Sequence, residues 1–169
     1  MIKICFTFLL LFVVLYAHPH TFIDLYPKVA IKNKLIQKLH LDWLMDEMTS
    51  SMLIMEFDQN SDGYLDKDEN KYIEENYFLT LKDYDFYMHL KYKYILKNFQ
   101  ASIVKNRIQY GFDLFFDKKI PIKNFSIDFY DTDFFVSMQL KKEFITQNIK
   151  YKIEDIDGDF YYGYKLMYK

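Results

Sequence analysis

Polar and apolar residues alternate along the stretch TFIDLYPKVAIKNKLIQKLHLDWLM at positions 21–45. Ile23, Leu25, Val29 and Ile31 share one face of an extended chain, and Leu35, Leu39, Leu41 and Trp43 share one face of a second. The pattern predicts a β-hairpin within 18–44. A three-residue loop, Lys32-Asn33-Lys34, sets Ile31 against Leu35, Leu25 against Leu41 and Ile23 against Trp43. A two-residue loop slips the register and turns apolar side chains toward polar ones. The three-residue register also gathers His20, Asp24, His40 and Asp42 on the outward face, with Asp24 across from Asp42.

The period then changes from two to that of a helix. Met48, Met52, Met55 and Phe57 recur at helical spacing, and so do Tyr72, Ile73, Asn76, Tyr77 and Leu81. Between these runs lies DQNSDGYLDKDE, Asp58 to Glu69, so a helix-loop-helix is predicted over 45–82. Strand patterns return at 84–169: Phe86 to Tyr94, Arg107 to Phe116, Phe125 to Tyr130, Phe134 to Leu140, and a last hairpin from Phe144 to Tyr168 turning at Asp157-Gly158. The class these elements predict is α+β, a mostly antiparallel sheet with an inserted EF-hand helix-loop-helix unit, in a single domain over 18–169.

The central loop has the chemistry of a calcium site. A hard cation takes six to eight oxygen ligands, and the twelve-residue loop supplies them from positions 1, 3, 5, 7, 9 and 12 around a glycine at 6. Those positions hold Asp58, Asn60, Asp62, the Tyr64 carbonyl, Asp66 and Glu69, with Gly63 at the sixth. A polar turn needs acidic residues but not this spacing. No second loop of the kind occurs, because the glycine of Asp155-Ile156-Asp157-Gly158 falls at the wrong place. The single loop therefore needs some other packing partner.

Residues 1–17 read as a signal peptide: Lys3, an apolar run from Ile4 to Leu15, and Leu15-Tyr16-Ala17 as a small-residue cleavage site. The run is too short to span a bilayer, and no later stretch is long enough without charges. Export to the periplasm is the expectation, with no membrane span after cleavage. The chain's one cysteine, Cys5, lies inside the leader, which leaves no thiol for catalysis or metal binding. A formal net charge of -2 argues against nucleic acid, which wants a basic stripe. No hydrolase, phosphate-loop or zincin signature is present, so an enzyme is not expected.

A second constellation is histidine-based. His18 becomes the amino terminus if cleavage follows Ala17, and His20 stands two residues on. With Asp24 and His40 they make a candidate site for zinc, nickel, cobalt or copper, since imidazole suits such metals rather than calcium. The bland alternative is a frayed terminus beside an ordinary solvated hairpin face.

Several short motifs carry a family resemblance: HPHTFID at His18 to Asp24, then Trp43, SSML at Ser50 to Leu53, NYF at Asn76 to Phe78, and FYDTDFFV at Phe129 to Val136. Together they resemble the domain-of-unknown-function 1007 family. That resemblance implies a periplasmic component of an uncharacterised ABC-type transport system, in a family often encoded near nickel/cobalt exporters. The expected function is thus a calcium-binding periplasmic accessory to a metal transport or homeostasis system, with a membrane metal transporter as partner. The competing expectation is a calcium-stabilised structural or interaction module of the cell envelope with no transition-metal role.

Overall fold

A computed structural model describes residues 20–133 and 135–169. The signal peptide expected at residues 1–17 and His18 lie outside the described residues. The first hairpin joins β1 (Thr21–Lys32) to β2 (Leu35–Met45). Its turn is the two-residue Asn33-Lys34, both at positive φ (52° and 62°), the conformation whose twist suits a tight hairpin. The expected three-residue loop is thereby corrected. The slip it was meant to avoid is absorbed by a β-bulge instead: Ile31 pairs with Ile36, Ala30 with Lys38, and Gln37 is the extra residue. Beyond the bulge apolar meets apolar again, but two residues on from the expected register, with Leu25 opposite Trp43 and Ile23 opposite Met45.

The hairpin forms the middle of a five-stranded sheet. β3 (Met88–His89) belongs elsewhere, while β4 (Tyr94–Val104) and β5 (Arg107–Pro121) add to β2, and a later short strand, β7 (Val136–Gln139), adds to β1 in parallel. The order is β4-β5-β2-β1-β7. β6 (Ser126–Tyr130), β8 (Tyr151–Asp157) and β9 (Tyr162–Tyr168) build a second, antiparallel sheet, β3-β6-β9-β8. The expected strand Phe86 to Tyr94 is thus only the two-residue β3, and the long strand β4 follows it. The final turn also differs from expectation: Gly158 N–H bonds the Tyr161 carbonyl at 2.9 Å, and Gly63, not Gly158, is the described glycine with positive φ.

The α+β class with an inserted EF-hand helix-loop-helix is corrected as well. Strands dominate the described residues, arranged in two sheets, and the helical stretch is not a matched pair of helices. α1 (Glu47–Phe57) is regular, whereas α2 (Lys67–Ile73) lasts seven residues before a π turn at Glu74–Phe78 and a 3-10 stretch at Leu79–Tyr87. The reason is packing. Ile73 and Phe78 are both buried, and their five-residue spacing is that of a π turn rather than an α-helix. Positive φ at Asp85, Phe86 and Tyr87 then swings two aromatic rings inward.

One continuous core lies behind the five-stranded sheet. Trp43 is fully buried, with ring centroids 4.9 Å from Phe112, 6.3 Å from Phe78 and 6.4 Å from Tyr87. Aromatic side chains at such spacings supply much of a core's stabilisation. The outward face of the same strands is polar, and it holds one of the two candidate sites.

Candidate functional site

The acidic loop is pre-folded by its own backbone. Gly63 takes φ +83° and a Cβ there would meet nothing, so the demand for glycine is conformational. Asp58 accepts from the N–H groups of Asp62 (3.1 Å) and Gly63 (3.0 Å), Asn60 Oδ1 from Asp62 (2.9 Å), and Asp62 from Tyr64 (2.8 Å). Asp66 caps α2 by accepting from Asp68 and Glu69, and Glu69 returns the bond to Asp66 N–H at 2.9 Å, a capping box. The other Glu69 oxygen accepts from Gln59 N–H at 2.8 Å and so ties the two ends of the loop together.

Burial is uneven around this ring. Asp58 and Glu69, at its ends, are buried, whereas Asn60, Asp62 and Tyr64 stand in solvent. A hollow of about 400 Å³ beside the loop is lined by Gln59, Asn60, Asp66, Asp68, Glu69 and Tyr72. All of the predicted donors are oxygens, which fits a hard divalent cation and no soft one. Among the described residues, no group of three or more His, Cys, Asp or Glu side chains is gathered around a common metal position. The loop's packing partner is a sheet edge rather than a second loop: Asn70 accepts from Ala101 N–H of β4 at 2.6 Å and donates to the Leu65 and Asp66 carbonyls.

The outward face of β2 and β5 carries a chain of hydrogen-bonded charges. Asp113, itself buried, accepts from Lys38 Nζ (2.8 Å), His40 Nδ1 (2.9 Å) and Asn98 Nδ2 (2.7 Å). His40 Nε2 faces Asp42 at 3.2 Å, and Asp42 also takes bonds from Lys28 and Gln109, each at 3.0 Å. Gly111 makes room for this: a Cβ there would come within 3.1 Å of Asp42 Oδ1 and 3.7 Å of the His40 ring.

The charges respond accordingly. The hydrogen bond with Asp42 raises the His40 pKa, against the effect of burial and with further help from Asp113. Burial pushes both carboxylates up, but Asp42 is held below its ordinary value by bonds from His40 and Lys28, and Asp113 by bonds from Lys38, Asn98 and His40. A histidine whose pKa is raised by folding stabilises fully below its unfolded value near 6.5, and that contribution disappears as pH climbs through the folded pKa. The depressed carboxylates stabilise above about 3.8 and lose that contribution as pH falls through their lower folded values. A melting temperature measured against pH is therefore expected to decline as pH rises above about 6.5 in the native chain. His40→Gln is expected to flatten that decline; an unaltered alkaline limb would show that the decline arises elsewhere.

The histidine constellation is dispersed. His20 is exposed at the start of β1, its ring stacked 6.1 Å from Phe135. Asp24 pairs with Arg107 at 3.1 Å and lies opposite Leu44, not Asp42. His40 lies opposite Lys28, four residues along the strand from Asp24, or roughly 13 Å at the usual strand rise. Asp113, Lys38 and Asn98 did not emerge from the sequence. A signal for Asp113 existed in the alternation Tyr110, Phe112, Leu114, which turns Gly111 and Asp113 outward, but the pairing of β5 with β2 is a long-range fact.

The FYDTDFFV motif has a structural meaning of its own. Asp131, buried, accepts from the N–H groups of Asp133, Phe135 and Val136 and so folds the turn leading into β7.

Comparison with known proteins places the chain. The family described as protein of unknown function DUF1007 matches residues 3–154. The chain belongs to the DUF1007 family. An uncharacterised protein of Haemophilus influenzae is 30% identical to this DUF1007 chain over 129 residues, taking in 72% of the chain and 62% of that protein. The chain thus spans less than two thirds of that relative's length. No solved structure matches this DUF1007 member.

Proposed function

We propose that this protein binds calcium through the loop Asp58 to Glu69 and acts by binding rather than catalysis, as an exported accessory to a membrane metal transport or homeostasis system. The observation that carries the calcium reading is the all-oxygen donor set of Asp58, Asn60, Asp62, the Tyr64 carbonyl, Asp66 and Glu69 around Gly63 at φ +83°. In this reading residues 1–17 direct export to the periplasm, where roughly millimolar sites of the extracellular type suffice. Among the described residues no helix is long and apolar enough to cross a membrane; in this reading the transporter is a separate protein.

The transition-metal part of the reading rests on His18 and His20, whose HPHTFID context resembles the family motif. A second reading, a calcium-stabilised envelope module with no transition metal, is favoured by the partners that Asp24 and His40 already have in Arg107, Asp42 and Asp113. Elemental analysis of protein purified from the periplasm without chelator or affinity tag separates the two. About one calcium per chain together with zinc, nickel, cobalt or copper that is lost from a His18→Ala/His20→Ala variant supports the accessory role. Calcium alone, after transition metals are added back, leaves the envelope module. No calcium at all sinks both.

A further inference from the structure

Methionines divide sharply between the core and α1. Met45, Met88 and Met138 are buried and Met167 is half-buried, whereas Met48, Met52 and Met55 are 65%, 55% and 81% exposed. Their helical spacing in the sequence puts these three on one face of the helix, and the structure turns that face to solvent. They are the exposed methionines among the described residues, and they follow one another at i, i+4 and i+7, the spacing that stacks side chains on one face.

Helix α1 is held in this orientation by polar bonds that packing alone would not supply. Asp46 caps it, accepting from Thr49 N–H (2.9 Å), and reaches back to Phe22 N–H of β1 (2.9 Å). On the inward side Ser50, fully buried, accepts from Ile108 N–H at 3.0 Å and donates to the Met45 carbonyl at 3.3 Å. Phe57 fills the core at the far end. Leu53 and Ile54 pack against the core on the same inward side. Rolling the helix to bury its methionines would strand these contacts, Ser50, Ile108 N–H and the cap, so the three long thioethers stay outward, where they add nothing to the packing of the core.

The outward face suits a soft metal ion. A thioether is a weak ligand for hard or borderline divalent cations but a good one for Cu(I), for which methionine and cysteine are the selective donors. Met48 and Met55 are separated by about 10 Å along the axis, with Met52 between them, within the reach of unbranched side chains with three rotatable bonds. We propose that Met48, Met52 and Met55 form a three-thioether binding site for Cu(I). The site uses no residue of the calcium loop or of the histidine constellation, and does not depend on either.

The test is competition for Cu(I), kept reduced with ascorbate, between the purified full chain, with the Cys5 thiol blocked by alkylation in native and variant proteins alike, and a chromophoric Cu(I) chelator. The native protein is expected to withdraw one Cu(I) per chain, with sulfur in the metal's first shell by X-ray absorption. The Met48→Leu/Met52→Leu/Met55→Leu variant keeps the apolar volume and an exposed helix face, so its melting temperature is expected to stay unchanged. Its Cu(I) affinity should fall by at least about tenfold. A thioether takes no proton in this range, so withdrawal should persist at pH 5, where imidazole ligation fails. Equal withdrawal by the triple-leucine variant, no withdrawal by the native chain, or a shell of nitrogen alone overturns the proposal.

Discussion

Glu69→Gln is expected to remove most of the rise in melting temperature that calcium produces in the native chain. Binding to the folded state alone stabilises it by about 2.7 kcal/mol at free calcium a hundredfold above the dissociation constant. For a domain of this size that is a rise of roughly 5–10 °C. In the proposed site Glu69 is the twelfth-position ligand, the one expected to give both oxygens to the ion. Those two oxygens now accept from Gln59 N–H and Asp66 N–H, so each end of the loop is already drawn to the carboxylate. Glutamine retains one acceptor and loses the charge and the second oxygen. Without calcium the variant should lose about 1 kcal/mol, the usual value of a cap, and still fold. Differential scanning calorimetry with and without calcium reads both effects. A rise of the native size in Glu69→Gln would remove Glu69 from the site, and no rise in the native chain would remove the site itself.

The first hairpin shows how far local pattern reaches. Alternation identified Ile23, Leu25, Val29, Leu39, Leu41 and Trp43 of the inward set, because burial of one face repeats every second residue away from the turn, but beside the turn Ile31 is exposed and Ile36 is buried instead of Leu35. It missed the register, because a bulge at Gln37 adds one residue at no cost to the alternation beyond it. The helical stretch shows the opposite failure. Tyr72, Asn76 and Leu81 fit a helical period on paper, yet Phe78 is drawn onto Trp43, Phe99 and Phe112, and that tertiary demand inserts a π turn. In α1 the inward face is Ser50, Leu53, Ile54 and Phe57, and the Ser50 and Asp46 bonds, invisible to a hydrophobic pattern, help to fix which side faces in.

The loop and the outward charge chain differ in the same sense. Every proposed donor of the loop lies within twelve consecutive residues, so spacing alone brings them together. The His40 chain draws on β1, β2, β4 and β5, and its central acid, Asp113, is 73 residues from His40. Only the sheet order brings them together. Both clusters also meet β4, since Asn70 in the middle of α2 accepts from Ala101 N–H of the strand that carries Asn98.

Trp43→Ala is expected to be the most damaging single truncation, costing about 3–5 kcal/mol. Trp43 is wholly enclosed by Phe112 from β5, Phe78 from the π turn and Tyr87 from the 3-10 stretch, so its removal opens a cavity where three separate segments meet. Neighbours drawn from a pleated sheet on one side and a strained turn on the other have little freedom to collapse into it. Trp43→Phe should be much milder. The indole Nε1–H is buried without a hydrogen-bond partner among the described residues, and an unpaired buried donor carries a penalty of about 1–3 kcal/mol that phenylalanine does not. Loss of indole volume and relief of that penalty then oppose each other. Urea unfolding at constant calcium measures both variants, and unchanged slopes would confirm that the midpoints report stability. If alanine costs no more than phenylalanine, the four rings do not form the packed centre of the fold, and the π turn at Glu74–Phe78 needs a different cause.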